Sequence, residues 1–272
     1  MSTAEVVGLW VAVAAYAAAF VLAVFGLVLS RPAALGAAFG ATAAGWFAQG
    51  SALAFRGVAE WSPPFNTYYE SVLCGTWLAT GALLVLARRS GGLRPALAIL
   101  NPVSLLLLGS AMFTDRSLRA LIPGLQSWWL VVHVCFALLA FGCMAVAAAT
   151  GPLLWFPRAA RAPAPAVLDR LLFRAFALAF IFQIVMIASG SIWANQAWGR
   201  WWGWDPIETF SLLTLIAFGI ALHLKIQFGW SGPRLAWLAV AGFLLTVYGI
   251  WGVPFFQQSV HLYQGPRGSG GG

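Results

Sequence analysis

Three side chains in this 272-residue chain offer an imidazole nitrogen, His133, His223 and His261. Five of the fifteen tryptophans, Trp193, Trp198, Trp201, Trp202 and Trp204, fall within the segment SIWANQAWGRWWGWDPIETF. Such a segment makes an apolar aromatic platform, interrupted at Gly199 and Gly203 where a flat ligand approaches the backbone closely. Its indole N–H groups and Arg200 can donate to ligand carboxylates. Asp205 before Pro206 has the pattern of an N-cap with proline at the first helical position, and Glu208 would suit the first turn of the helix that follows. The plainer use of tryptophan is an interfacial aromatic belt, and that is the reading for Trp10, Trp77, Trp155, Trp230 and Trp237. A belt does not require tryptophans packed around glycines and an Asp-Pro.

The elements that position these residues follow from composition. The chain is 61% apolar and 8% charged, where a soluble chain runs to about a quarter charged, so it is an all-α polytopic membrane protein. The formal charge of +8 marks loops on one membrane side rather than a nucleic-acid partner. A span takes about 20 apolar residues, and eight such runs are expected near 6–29, 34–55, 70–87, 95–113, 128–150, 172–193, 208–228 and 234–253. Arg31, Arg88, Arg89, Arg94, Arg158, Arg161, Arg170, Arg174, Lys225 and Arg234 fall on one side of that arrangement. Arg56, Arg116, Arg119, Arg200, Arg267 and every acidic residue except Asp169 fall on the other. The positive-inside rule makes the first side cytoplasmic, so both termini and the loops 56–69, 114–127 and 194–207 face outward. The start MSTAEVV has neither a basic n-region nor a cleavage site and is expected to stay in the protein. Cys74, Cys135 and Cys143 lie in apolar runs, and no disulfide framework is expected.

On this topology His133 lies about 8 Å into span five from its outer end at 1.5 Å per residue, and His261 follows span eight on the same side. Two imidazoles opposite an aromatic shelf suit a haem iron with two axial nitrogens, its ring stacked on indoles and its propionates met by donors. A histidine satisfied by a neighbouring helix remains the alternative for each. His223 lies about 22 Å from the outer end of span seven, in the inner half of the bilayer, where an ionisable group is functional by default. No second intramembrane histidine is available in the chain to pair with it.

WGRWWGWDPIET resembles the tryptophan-rich WWD signature of the haem-handling membrane proteins of cytochrome c maturation, and the chain is most similar to the CcsA (ResC) component of the System II pathway. FNTYYES with Trp77 downstream, WWLVVHVCFALLAFG, ALHLK and VHLYQG resemble further segments of that component. The resemblance implies that His133 and His261 are the axial ligands of an outward haem b, on a platform including Trp198, Trp201, Trp202, Trp204 and Asp205. It implies that His223 is one ligand of a second haem site within the membrane, the other coming from a CcsB/ResB-type membrane protein. Where the family commonly has D-P-K-E, this chain has Ile207; if the lysine contacts a propionate elsewhere, Arg200 or another basic residue takes its place here, or the contact is absent. Tyr68, Tyr69 and Glu70 would line the haem chamber or serve as a helix start with an interfacial anchor.

The expected function is therefore haem export and presentation for thioether attachment to the C-x-x-C-H segment of apocytochrome c, in a bacterial plasma membrane or a thylakoid. The substrate brings its own thiolates, so no nucleophile from this chain is needed. The alternatives are a System I type haem handler, a solute transporter, or a haem-free assembly scaffold. By organisation, 1–114 would be a four-helix part, 115–263 the haem-handling core with the WWD segment at 193–208, and 264–272 a flexible tail.

Overall fold

The computed structural model describes residues 3–60, 67–114, 126–156 and 162–256. His261 lies outside the described residues, as do Arg116, Arg119, Arg158, Arg161 and Arg267. The described chain is helical throughout: α1 Thr3–Val28, α2 Pro32–Glu60, α3 Tyr68–Arg89, α4 Leu97–Ala111, α5 Trp128–Thr150, α6 Pro165–Trp198, α7 Pro206–Phe228, α8 Pro233–Val247 and a last turn, α9, Val253–Phe256. A 3₁₀ turn, Gly91–Ala96, leads into α4, and a π turn, Tyr248–Gly252, continues α8. Pro165, Pro206 and Pro233 each open a helix with the preset φ that suits its first position. Gly199 and Gly229 end α6 and α7 in the left-handed conformation that favours glycine (φ +73° and +65°).

Among the described residues seven helices are long and apolar enough to cross a membrane, against the eight expected. The one that falls short is α2, although it runs for 29 residues. Its five glycines, with Thr42, Gln49, Ser51 and Arg56, dilute its apolar content. Thr42, Gln49 and Arg56 are matched by neighbouring helices rather than by lipid. Tyr16 Oη donates to Gln49 Oε1 (2.7 Å), Gln49 Nε2 donates to Thr76 Oγ1 and the Leu73 carbonyl (2.8 and 2.9 Å), and Asn101 Nδ2 donates to Thr42 Oγ1 (3.0 Å).

α1 and α2 pack closely along a stripe of small residues, with Ala12, Ala19 and Ala23 buried on α1, the means by which membrane helices approach without a hydrophobic drive between them. α2 and α3 are joined by a reciprocal pair: Trp46 Nε1 donates to the Trp77 carbonyl (2.9 Å) and Trp77 Nε1 to the Trp46 carbonyl (3.0 Å). Their rings stack at 4.8 Å, each over a glycine of the other helix, Gly81 and Gly50, where a Cβ would come within 2.8 Å of the indole nitrogen. Trp77 is thus an interhelical fastener and not the belt residue expected from its isolation in the sequence. α3 then packs on α4 and α5, α5 on α6 and α8, and α7 on α6 and α8.

Side-chain contacts show which helix ends lie together. Arg56 near the end of α2 reaches Glu5 at the start of α1 and Glu70 at the start of α3, Tyr68 meets Ser110 near the end of α4, and Ser127 donates to Gln196, joining the start of α5 to the end of α6. At the opposite end Asp169 of α6 meets Lys225 of α7 and accepts from Gly232 N–H.

Arg56 was expected in an outward loop. It lies instead inside α2 and is buried, because two carboxylates balance its charge: Nε donates to Glu70 Oε1 at 2.7 Å and Nη1 to Glu5 Oε1 at 3.2 Å. Tyr69 Oη also donates to Glu5, and the guanidinium lies over the Tyr69 ring, 4.9 Å from its centroid. Losing one partner from a buried pair costs about 3–5 kcal/mol, so this cluster pins three helix ends together. It also accounts for the burial of Tyr69 and Glu70, and Glu70 completes a capping box with Thr67, in keeping with the helix-start reading.

Candidate functional site

α6 is 34 residues long, or about 51 Å at 1.5 Å per residue, well beyond the roughly 30 Å of a bilayer core. It therefore carries the first part of the tryptophan-rich segment as helix, where a span ending at 193 was expected. Trp193 and Trp198 lie on its last turns; Trp201, Trp202 and Trp204 occupy the loop to α7.

The loop is built around one carboxylate. Glu208 Oε2 accepts from Gly203 N–H (2.8 Å) and Asp205 N–H (3.1 Å), and Asp205 Oδ1 accepts from Ile207 N–H (3.0 Å), completing a capping box at the start of α7. The residue between the two clamped amides is Trp204, held at φ +57°, a conformation that costs a residue with a side chain about 1–2 kcal/mol. The clamp turns its indole outward, 69% exposed. Ser191 Oγ donates to the Trp201 carbonyl (2.8 Å) and ties the loop back to α6.

Asp205 and Glu208, both buried, thus shape the loop. Gly199 is the left-handed cap of α6, and Gly203 lies under the Arg200 guanidinium, whose Nε would be 2.7 Å from a Cβ placed there. Of the two glycines expected to admit a ligand, Gly199 caps a helix end with open space beside it, while Gly203 is covered by the Arg200 side chain. Nor do the indoles form one flat shelf: Trp193 and Trp198 stand edge-to-face at 63°, Trp202 and Trp204 at 89°, the arrangement that aromatic quadrupoles favour. Trp201 and Trp204 are the most exposed members, with Arg200 exposed between them and α6.

Glu208→Ala is expected to raise amide hydrogen exchange at residues 203–205 by about tenfold or more, since hydrogen bonds to a charged group contribute about 1.5–3 kcal/mol. Glu208→Gln, which keeps an acceptor oxygen, should lose less. Unchanged exchange in Glu208→Ala would show that the carboxylate does not hold Trp204.

His133 faces α6 at the same end of the molecule. Its Nδ1 lies 2.8 Å from the Met186 carbonyl oxygen. A carbonyl can only accept, so this bond puts the ring proton on Nδ1 and the lone pair of the neutral ring on Nε2. Trp193, almost fully buried, lies beside the imidazole with ring centroids 6.2 Å apart and planes inclined by 27°. A histidine hydrogen-bonded through Nδ1 and backed by an indole is oriented as metal-ligating imidazoles generally are. Among the described residues there is no cluster of three His, Cys, Asp or Glu side chains, the set a bare ion needs, whereas a macrocyclic metal brings its equatorial donors and asks for one imidazole on a face.

His223 is separate from this group. It is exposed on α7, one of a stripe with Leu213, Ile216 and Ile220, edge-on to Phe228 at 5.7 Å. Met186, Gly190 and Ser127 were absent from the sequence-derived site. The i, i+4, i+7 spacing of Met186, Gly190 and Trp193 puts them on one face of α6 and was the signal that could have found two of them.

Residues 65–261, from before α3 to beyond α9, match the cytochrome C assembly protein family, a stretch that takes in the tryptophan segment and all three histidines. Among curated proteins the chain is 30% identical to the cytochrome c biogenesis protein CcsA of Prochlorococcus marinus (strain MIT 9312), over 78% of this chain and 79% of that one. It is 31% identical to the cytochrome c biogenesis protein CcsA of Chlamydomonas reinhardtii, over 74% of this chain and 60% of that one. Among solved structures it superimposes on a cytochrome c haem lyase, CcmF, with a TM-score of 0.74 at 19% identity, covering 96% of this chain and 48% of the lyase. That likeness is one of fold, and the chain spans about half the length of the lyase. With a helical bundle of membrane-spanning lengths and a family match over most of its residues, the chain belongs to the cytochrome c assembly protein family.

Proposed function

We propose that this protein handles haem for cytochrome c maturation, holding it at the tryptophan end of the bundle for covalent attachment to apocytochrome c, as a System II component. The observation that carries the reading is the Nδ1 bond of His133 to the Met186 carbonyl beside Trp193, which readies Nε2 for iron. In this reading His133 and His261 are the two axial ligands. Trp198, Trp201, Trp202 and Trp204 contact the ring, Asp205 holds the loop, and Arg200 offers a cation to a propionate in place of the family's lysine at position 207. Haem b, as the substrate, supplies vinyl groups across which two cysteine S–H bonds of the C-x-x-C-H segment add.

His223 is the single ligand this chain gives to a haem within the membrane, and its exposure on α7 suits completion of that site by a CcsB/ResB-type partner. The tryptophan end faces the periplasm or lumen of a bacterial plasma membrane or a thylakoid. Charge supports this orientation: Arg31, Arg88, Arg89, Arg170, Arg174, Lys225 and Arg234 all belong to the opposite end.

The test is an absorption spectrum, oxidised and dithionite-reduced, of the detergent-purified protein co-expressed with that partner, beside a His133→Ala/His261→Ala double variant. A bis-imidazole haem signal that falls by more than about tenfold in the double variant is expected, since even the partner of a metal ligand is commonly worth 10–100-fold. A folded, partner-bound protein without haem would overturn the assignment.

A further inference from the structure

We infer that Gly190 and the Met186 carbonyl form a cradle on α6 that sets the orientation and tautomer of His133, making Gly190 a positioning residue for the outer haem site. The inference rests on His133 being an axial ligand, and it concerns how that ligand is held.

The geometry is specific. In an α-helix the carbonyl of one residue points at the residue four positions on, so the side chain there flanks it on its exposed side. For Met186 that residue is Gly190, which has no side chain. The His133 ring occupies the place where one would be: a Cβ on Gly190 would overlap Nδ1 and lie 2.8 Å from Cε1 and 3.3 Å from Cγ. Contacts under 3.0 Å do not persist, so a residue larger than glycine must move the imidazole. The ring has little room to move, because Trp193, three residues further along α6 on the same face, lies beside it. The Met186 carbonyl belongs to the backbone of α6, so its direction is set by the helix itself. α6 thus offers His133, on α5, a place for its ring: glycine admits it, the carbonyl takes its Nδ1 proton, and the indole closes one side. A hydrogen bond of this kind sets which nitrogen carries the lone pair and raises its basicity toward a metal.

The experiment measures haem absorption and the low-spin electron paramagnetic resonance signal of the purified complex, co-expressed with its partner. Gly190→Ala, His133→Gly and the double variant Gly190→Ala/His133→Gly are compared, each with and without millimolar imidazole. The expected result is a loss of the low-spin signal in Gly190→Ala of about 10–100-fold, the scale for disturbing the support of a metal ligand. Imidazole should restore the signal in both His133→Gly and the double variant, because a free ring has no tether to be displaced.

A normal signal in Gly190→Ala overturns the inference. So does a double variant that imidazole fails to restore while it restores His133→Gly, since Gly190 would then act on packing and not through the histidine. A full signal in His133→Gly without imidazole removes the axial assignment itself, an outcome distinct from the other two.

Discussion

Replacing His133 by alanine is expected to abolish cytochrome c maturation while leaving the protein folded in the membrane. The two effects separate by size. The imidazole is half-buried and is hydrogen-bonded to the Met186 carbonyl, a bond whose loss costs about 1 kcal/mol in stability. As an axial ligand it is worth more than the 10–100-fold typical of the groups that merely support such ligands, so the yield of holocytochrome should fall by at least that much at unchanged protein level. Imidazole added to the growth medium should restore part of the yield by filling the vacant position. Normal haem-stained cytochrome in His133→Ala cells would remove the ligand role. Loss without imidazole rescue would place the defect in α5–α6 packing, since Trp193 rests against the same ring.

The second large effect is expected at His223. It lies 17 residues into α7 from Pro206, about 25 Å along the helix and so inside the roughly 30 Å hydrocarbon core. The face it shares with Leu213, Ile216 and Ile220 is exposed, and α7 is the least buried of the seven spans. An imidazole on such a face is costly in lipid unless a second chain or a ligand meets it. His223→Ala is therefore expected to lower the haem found at the outer site by about tenfold when the partner is co-expressed, by the same ligand-support scale, with no effect on partner-free preparations. Because the residue is exposed, the substitution leaves no cavity, so protein level is an internal control. Outer-site haem that stays at the wild-type level would end the case for His223 on the path.

Several features were legible in the residues because they depend on local pattern. Apolar runs between charged breakers marked the spans to within a few residues, except where α6 begins seven residues before its expected start and continues five past its expected end, and where α2 continues five past its own. Asp205-Pro206 and Glu208 announced a helix start, and a capping box stands there, since that device is confined to four consecutive residues. The crowding of tryptophans and glycines singled out the α6–α7 loop, and the resemblance it carries agrees with the family match.

Contacts between residues far apart in the chain were not legible. Arg56 read as a loop charge because its neutralising partners, Glu5 and Glu70, lie 51 and 14 positions away. Trp77 read as a belt residue because Trp46 is 31 positions distant.

The amino-acid sequence by itself determined that this is a helical membrane protein with an aromatic segment and three candidate imidazoles, for hydrophobic periodicity and composition suffice when the solvent is a bilayer. Only the tertiary structure decided which imidazole is held against which carbonyl, which carboxylates neutralise the buried arginine, and that Trp204 stands outward because Glu208 grips the amides on either side of it. Those outcomes depend on angstrom-scale approach between helices, governed by where a glycine removes a side chain and where a buried polar group must find a partner.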